Sequence, residues 1–127
     1  MAAPNIVAVT SIVPHTVSIT PADTSRNALV TAPASGSAQK INEIIVSNID
    51  GAAAYDATIE VRLADGTTYR AIASTISVPA DASLIVSDKT TMFYLLDTSV
   101  TGEASTLWAT SSTASKLTYT VSYETIT

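Results

Sequence analysis

The chain has 127 residues, with 46% hydrophobic and only 13% charged positions; that is one domain's length with material for a core, and not the composition of a disordered chain. A net charge of −5, with Arg26, Lys40, Arg62, Arg70, Lys89 and Lys116 scattered singly, leaves no phosphate-tracking patch, so direct nucleic-acid binding is not expected. The absence of cysteine excludes a disulfide framework, thiolate zinc sites and cysteine nucleophiles, and leaves the redox compartment open.

Met1 to Val13 is fairly apolar but has no Lys or Arg, and Pro4 interrupts it with Pro14 following. It reads as neither a signal peptide nor a membrane span. Asn5 to Val13 and Thr16 to Thr20 are β-prone segments interrupted by Pro14 and Pro21, which suits strand ends or an edge. Residues 1–25 are therefore expected to form an N-terminal arm or peripheral strands, and residues 26–127 the domain proper. Ala28 to Ala32 is a short strand candidate, and Pro33 to Ala38 is the clearest loop.

Lys40 to Asn48 carries Ile41, Ile44, Ile45 and Val46, apolar on both parities, which predicts a strand covered on both faces. Ala57, Ile59, Val61 and Leu63 alternate with polar or small residues, and Asp65-Gly66 then turns the chain into Thr68 to Ile72, a hairpin signature. Ile76 to Val78 ends at Pro79, and Ser83 to Ser87 resumes an extended run. In Met92 to Leu96, Phe93 and Leu95 point one way and Met92, Tyr94 and Leu96 the other, so one set faces the core and the other needs a cover. Thr106 to Thr110 contains Trp108, and Leu117, Tyr119, Val121 and Tyr123 alternate strictly with Thr118, Thr120, Ser122 and Glu124. About eight or nine short strands and no 3.6-residue stripe predict a single all-β antiparallel sandwich, Ig-like or jelly-roll-like. With only four glycines, the turns must draw on Asp, Asn, Ser and Pro.

Residues with chemical capacity are few. His15 has no carboxylate or hydroxyl at a motif spacing and reads as an ordinary loop histidine. Asp50, Asp56, Asp65, Asp81 and Asp88 match no calcium loop and read as turn residues accepting backbone hydrogen bonds. Trp108 reads as core or core edge, with a sugar-stacking platform beside Tyr94 or Tyr55 as the alternative. Phosphate loops, metal-ligand clusters and nucleophile elbows are absent from the sequence. No catalytic, cofactor-binding or metal residue is therefore assigned, and no enzyme activity or cofactor is expected.

Lys40-Ile-Asn-Glu-Ile-Ile-Val-Ser-Asn-Ile-Asp-Gly51, Ala57-Thr-Ile-Glu-Val, Val78-Pro-Ala-Asp-Ala-Ser-Leu84 and Leu117-Thr-Tyr-Thr-Val-Ser-Tyr-Glu124 together resemble small β-sandwich virion structural proteins of tailed bacteriophages. The resemblance covers residues 26 to 125. It implies a capsid decoration or cement protein that binds a major capsid protein or other virion proteins in many copies or as a homo-oligomer. The implied location is the virion, assembled in the cytoplasm of a bacterial host. A neck, tail or fibre component is the nearest alternative, and a carbohydrate- or receptor-binding module using Trp108 the more distant one. No nucleic-acid or membrane partner is expected. The candidate interface residues are Ile6, Val7, Val9, Ile12 and Val13 in the N-terminal segment, which could add a strand to a neighbouring edge, with Met92, Tyr94 and Leu96 on the outward side of their strand.

Overall fold

The computed structural model describes residues 9–127. Nine strands follow one another: β1 (Ile12–Ile19), β2 (Asn27–Val30), β3 (Ala38–Asn48), β4 (Tyr55–Leu63), β5 (Tyr69–Val78), β6 (Ser83–Ser87), β7 (Phe93–Leu96), β8 (Ala104–Ser111) and β9 (Leu117–Ile126). All pairings are antiparallel. They form a first sheet ordered β1-β9-β3-β6, with β7 also pairing β3, and a second sheet ordered β2-β8-β4-β5.

Between the sheets lies one core, in which Ile41, Ile44, Val46, Leu95, Leu117, Tyr119 and Val121 of the first sheet meet Ala57, Ile59, Val78, Leu107 and Ala109 of the second. All twelve are 0% exposed, and complete burial of an aliphatic side chain contributes about 1.5–3 kcal/mol relative to exposure. The one polar group carried in by this set is satisfied. Tyr119 Oη donates to the Thr110 carbonyl at 3.2 Å and lies 2.8 Å from Ser111 Oγ. The alternation predicted for Leu117 to Glu124 and for Phe93 to Leu96 is what the strands display.

Three expectations need correcting. Lys40 to Asn48 is not covered on both faces. A bulge between Ile41 and Glu43 places two consecutive residues opposite one and resets the side-chain phase. Ile41 and then Ile44 and Val46 therefore all reach the core, while Ile45 stays on the outer face, half-buried.

Pro14 does not divide two segments but sits inside one continuous strand. Ser11 and Thr127 exchange both backbone hydrogen bonds, at 3.2 and 3.0 Å. Alternation along the ladder then turns the backbone groups of Val13, His15, Val17 and Ile19 toward β9, and those of Ile12, Pro14, Thr16 and Ser18 away from it. The missing Pro14 donor thus falls on the open edge, where it costs the ladder nothing. Consequently His15 is a strand residue, its ring stacked on Tyr123 with centroids 4.8 Å apart.

Thr68 to Ile72 and Ile76 to Val78 are likewise parts of one strand, β5. It stays paired with β4 through two register shifts and a left-handed Thr75 at φ 53°. Thr75 N donates to Thr58 Oγ1 at 3.0 Å.

The turns rest on carboxylates, as the glycine shortage predicts. Asp23, Asp50, Asp65, Asp88 and Asp97 each accept the backbone N–H two residues ahead, at 2.8–3.1 Å. In the β4–β5 hairpin, Asp65 also takes the N–H of Thr68 at 2.8 Å while Gly66 supplies φ 75°. Hydrogen bonds to the ionised form hold all five carboxyls below the ordinary aspartate range. Asp65 reaches about 2, with the Thr68 hydroxyl as the main cause.

Candidate functional site

No group of three or more His, Cys, Asp or Glu side chains among the described residues could hold a metal ion. No helix there is long and apolar enough to cross a membrane. The surfaces with distinct chemistry are the outer faces of the two sheets.

On the first sheet, register aligns side chains into rows that cross the strands, because residues directly opposite in an antiparallel pair share a face. Ile12 stands opposite Ile126, Ile126 opposite Ala38, and Ala38 opposite Leu96. The next row is Pro14, Glu124, Lys40 and Tyr94. Four strands at about 4.8 Å spacing make each row roughly 14 Å wide. Within the apolar row Ile126 and Ala38 are buried and Leu96 half-buried, while Ile12 remains 57% exposed. Tyr94 and Met92 are exposed beside it, at 38% and 40%.

Of the candidate interface residues, Ile12, Tyr94 and Leu96 are therefore brought onto one face from distant parts of the chain. Met92 lies just before β7. Val13 is exposed too, but it points to the other side of β1, opposite Thr125. Val9 is half-buried ahead of β1. Ile6 and Val7 lie outside the described residues.

Toward the other end of this face the rows turn hydroxylic. Ser18 Oγ lies 3.1 Å from Thr120 Oγ1, Thr20 Oγ1 lies 2.8 Å from Thr118 Oγ1, and Ser47 Oγ lies 2.8 Å from Ser83 Oγ. Ile45 and the 65% exposed Ile85 continue the Ser18–Thr120 row across the next two strands. Asn42, at the bulge, donates to Glu124 Oε1 at 3.2 Å. Formal charge on the face is limited to Lys40, Glu43 and Glu124.

The outer face of the second sheet is different. Arg26 holds Glu60 through Nε–Oε1 and Nη2–Oε2, at 3.0 and 3.3 Å, and its guanidinium lies 3.8 Å above the Tyr69 ring. That ring meets Trp108 edge-on at 6.0 Å, and Arg62 stacks 5.0 Å from Trp108. Trp108 is half-buried on this outer face and is not part of the core or packed against it, contrary to the core or core-edge expectation; its neighbour is Tyr69, neither Tyr94 nor Tyr55. Tyr94 belongs to the other sheet, and the Tyr55 hydroxyl donates to Asp50 Oδ2 at 2.7 Å. The bond to Glu60 raises the Arg26 pKa further. Sequence reasoning missed this cluster because its members come from β4, β5, β8 and the turn before β2. Their only signal was the outward parity of Glu60, Arg62 and Trp108.

No protein-family model matches the sequence, and no curated protein matches it. Among solved structures, the chain is similar to an archaeal virus protein described by a triple jelly-roll fold and a turret assembly. The TM-score is 0.52 at 16% identity, covering 93% of this chain and 29% of that one. It is also similar to a Bacillus endospore appendage protein from disulfide-linked pili (TM-score 0.49, 19% identity, 91% of this chain and 87% of that one). A third neighbour is the Drosophila NLP core, described by pentamer formation and histone binding (TM-score 0.42, 13% identity, 87% and 96%). The last two are too distant to carry an argument. The first supports the fold: an all-β antiparallel sandwich of jelly-roll type. This chain spans less than a third of that virus protein.

Proposed function

We propose that the protein is a non-enzymatic virion structural protein, a capsid decoration subunit that attaches to the outer shell of a phage particle. It attaches through the apolar end of the first sheet's outer face. The observation that carries this reading is the meeting of Ile12, Leu96 and Tyr94 on one face that is weakly charged and, apart from the Ile45–Ile85 pair, otherwise mostly hydroxylic. An apolar patch bordered by Lys40 and Glu124, with hydroxyls beyond, suits a protein partner, because it can be desolvated without stripping water from many charges. The jelly-roll fold and the tailed-phage resemblance of residues 26 to 125 point to virion proteins as that partner. Many copies on a lattice convert modest single contacts into firm attachment.

The test is cryo-electron microscopy of particles carrying the protein, with a mass-spectrometric copy count. Density repeated over the shell supports the proposal. Density confined to the tail, or a count of about twelve or fewer, as a small closed ring would hold, overturns it in favour of a neck or tail component.

A further inference from the structure

A sandwich has open edges, and folded proteins blunt them with bulges, charges, prolines or brevity. Three of the four edges here are blunted. β2 is four residues long with a register shift between Ala28 and Val30. β5 carries two register shifts, the left-handed Thr75 and Arg70. The β6 and β7 edge is split into strands of five and four residues, with a shift between Ile44 and Ile45.

The fourth edge, β1, is eight residues in unbroken register with β9 and contains no Asp, Glu, Lys or Arg. Its one blunting device is Pro14. The backbone groups of Ile12, Thr16 and Ser18 point away from β9 and bond to nothing among the described residues. The free edge therefore offers the N–H groups of Thr16 and Ser18, and the carbonyls of Pro14, Thr16 and Ser18, as one consecutive row.

We infer that this edge pairs with β1 of a second copy, antiparallel about a two-fold axis, joining two five-stranded sheets into one. A second copy fits because the row is self-complementary. Beyond Pro14 it alternates donors and acceptors, and an isologous contact gives each copy the same bonds. The strand's lack of formal charge removes the like-charge opposition that would otherwise penalise self-pairing in a chain of net charge −5. Pro14 limits the pairing to the Thr16 to Ile19 half, and because the two-fold contact uses the β1 edge of both copies, one copy adds to one copy and the sheet does not grow further along that edge.

The experiment is sedimentation of the full chain from about 10 µM to about 1 mM, a range that brackets weak dimers, with amide hydrogen exchange read at the same concentrations. The expected result is a monomer–dimer equilibrium in which Thr16 and Ser18 amides become at least about tenfold more protected as the dimer fills. Amides of β5 should not change. Thr16→Pro, which removes an outward donor that the fold does not use, should leave the circular dichroism spectrum native and abolish the dimer. A Ser18→Pro variant repeats the test if Thr16→Pro fails to fold. A chain that stays monomeric throughout, a dimer whose Thr16 and Ser18 amides remain unprotected, or a natively folded proline variant that still dimerises would each overturn the inference.

Discussion

The two outer faces of the sandwich deal with their polar and apolar groups in opposite ways. On the second sheet, Arg26, Glu60, Tyr69, Trp108 and Arg62 cover one another through one ion pair and ring contacts, with the buried Arg62 Nε and Trp108 Nε1 left without a hydrogen-bond partner. On the first sheet, hydroxyls pair across strands at one end, while Ile12, Met92 and Tyr94 are left exposed at the other. A face whose side chains cover one another has little apolar surface left to bury, whereas a face that ends in uncovered apolar side chains gains from a partner. Under the proposed function, the first sheet's face is the one that meets a partner and the second sheet's face the one that contributes to stability.

The largest expected effects calibrate this contrast against the core. Ile44→Ala removes a fully buried side chain and should cost about 2–5 kcal/mol in urea unfolding. Ile85→Ala, on the outer face at 65% exposure, should change stability by no more than about 0.5 kcal/mol. A large loss at Ile85 would mean that the first sheet's outer face is covered within the monomer, and the contrast would collapse.

Ile12→Asp combined with Tyr94→Asp should abolish attachment to shells in a co-sedimentation assay and leave the unfolding midpoint close to that of the parent chain. Both residues are exposed, so a charge there blocks desolvation of the patch without entering the core. Trp108→Ala is the reciprocal variant: it should lower stability and leave attachment intact. If Trp108→Ala instead abolished attachment, the roles of the two faces would be reversed. Glycan-array binding lost in that variant would favour a carbohydrate-binding module.

The pH response is smaller and belongs to the turns rather than to either face. Asp23, Asp50, Asp65, Asp88 and Asp97 have folded pKa values below their unfolded ones. Their contribution is therefore complete above the unfolded value near 4 and is lost as pH falls through the folded values, to about 2 for Asp65. The thermal midpoint should decline steadily below about pH 4, and Asp65→Asn should flatten the lowest part of that decline.

The smallest effect concerns the Arg26–Glu60 pair. Arg26 is about half exposed and Glu60 mostly covered, at 48% and 14%. Arg26→Ala should produce a small destabilisation that shrinks as salt is raised toward 1 M, because exposed ion pairs are screened. A loss that persists in high salt would show that the stacking of Arg26 on Tyr69, and not its charge, is the larger part.

Much of the architecture was legible because strand periodicity is local. The alternations at Leu117 to Glu124 and at Phe93 to Leu96 announce both the strand and the side that enters the core. Asp65-Gly66 announces its hairpin through the backbone geometry that the turn demands. The candidate site was legible only as a set of residues. Ile12 and Leu96 could be named as apolar and outward, but nothing between them in the chain says that they share a row.

Sequence by itself determined the all-β class, the single core, the turn chemistry and the poverty of reactive groups, since each follows from residue type and spacing within a few positions. Tertiary structure alone decided the register, and with it everything placed across strands. That includes the row from Ile12 to Leu96, the Arg26 to Arg62 cluster, the phase reset after Ile41, and the open-edge position of Pro14. The physical reason is that strand pairing joins residues far apart in the chain. Such a choice depends on which faces bury together, and no local pattern encodes it.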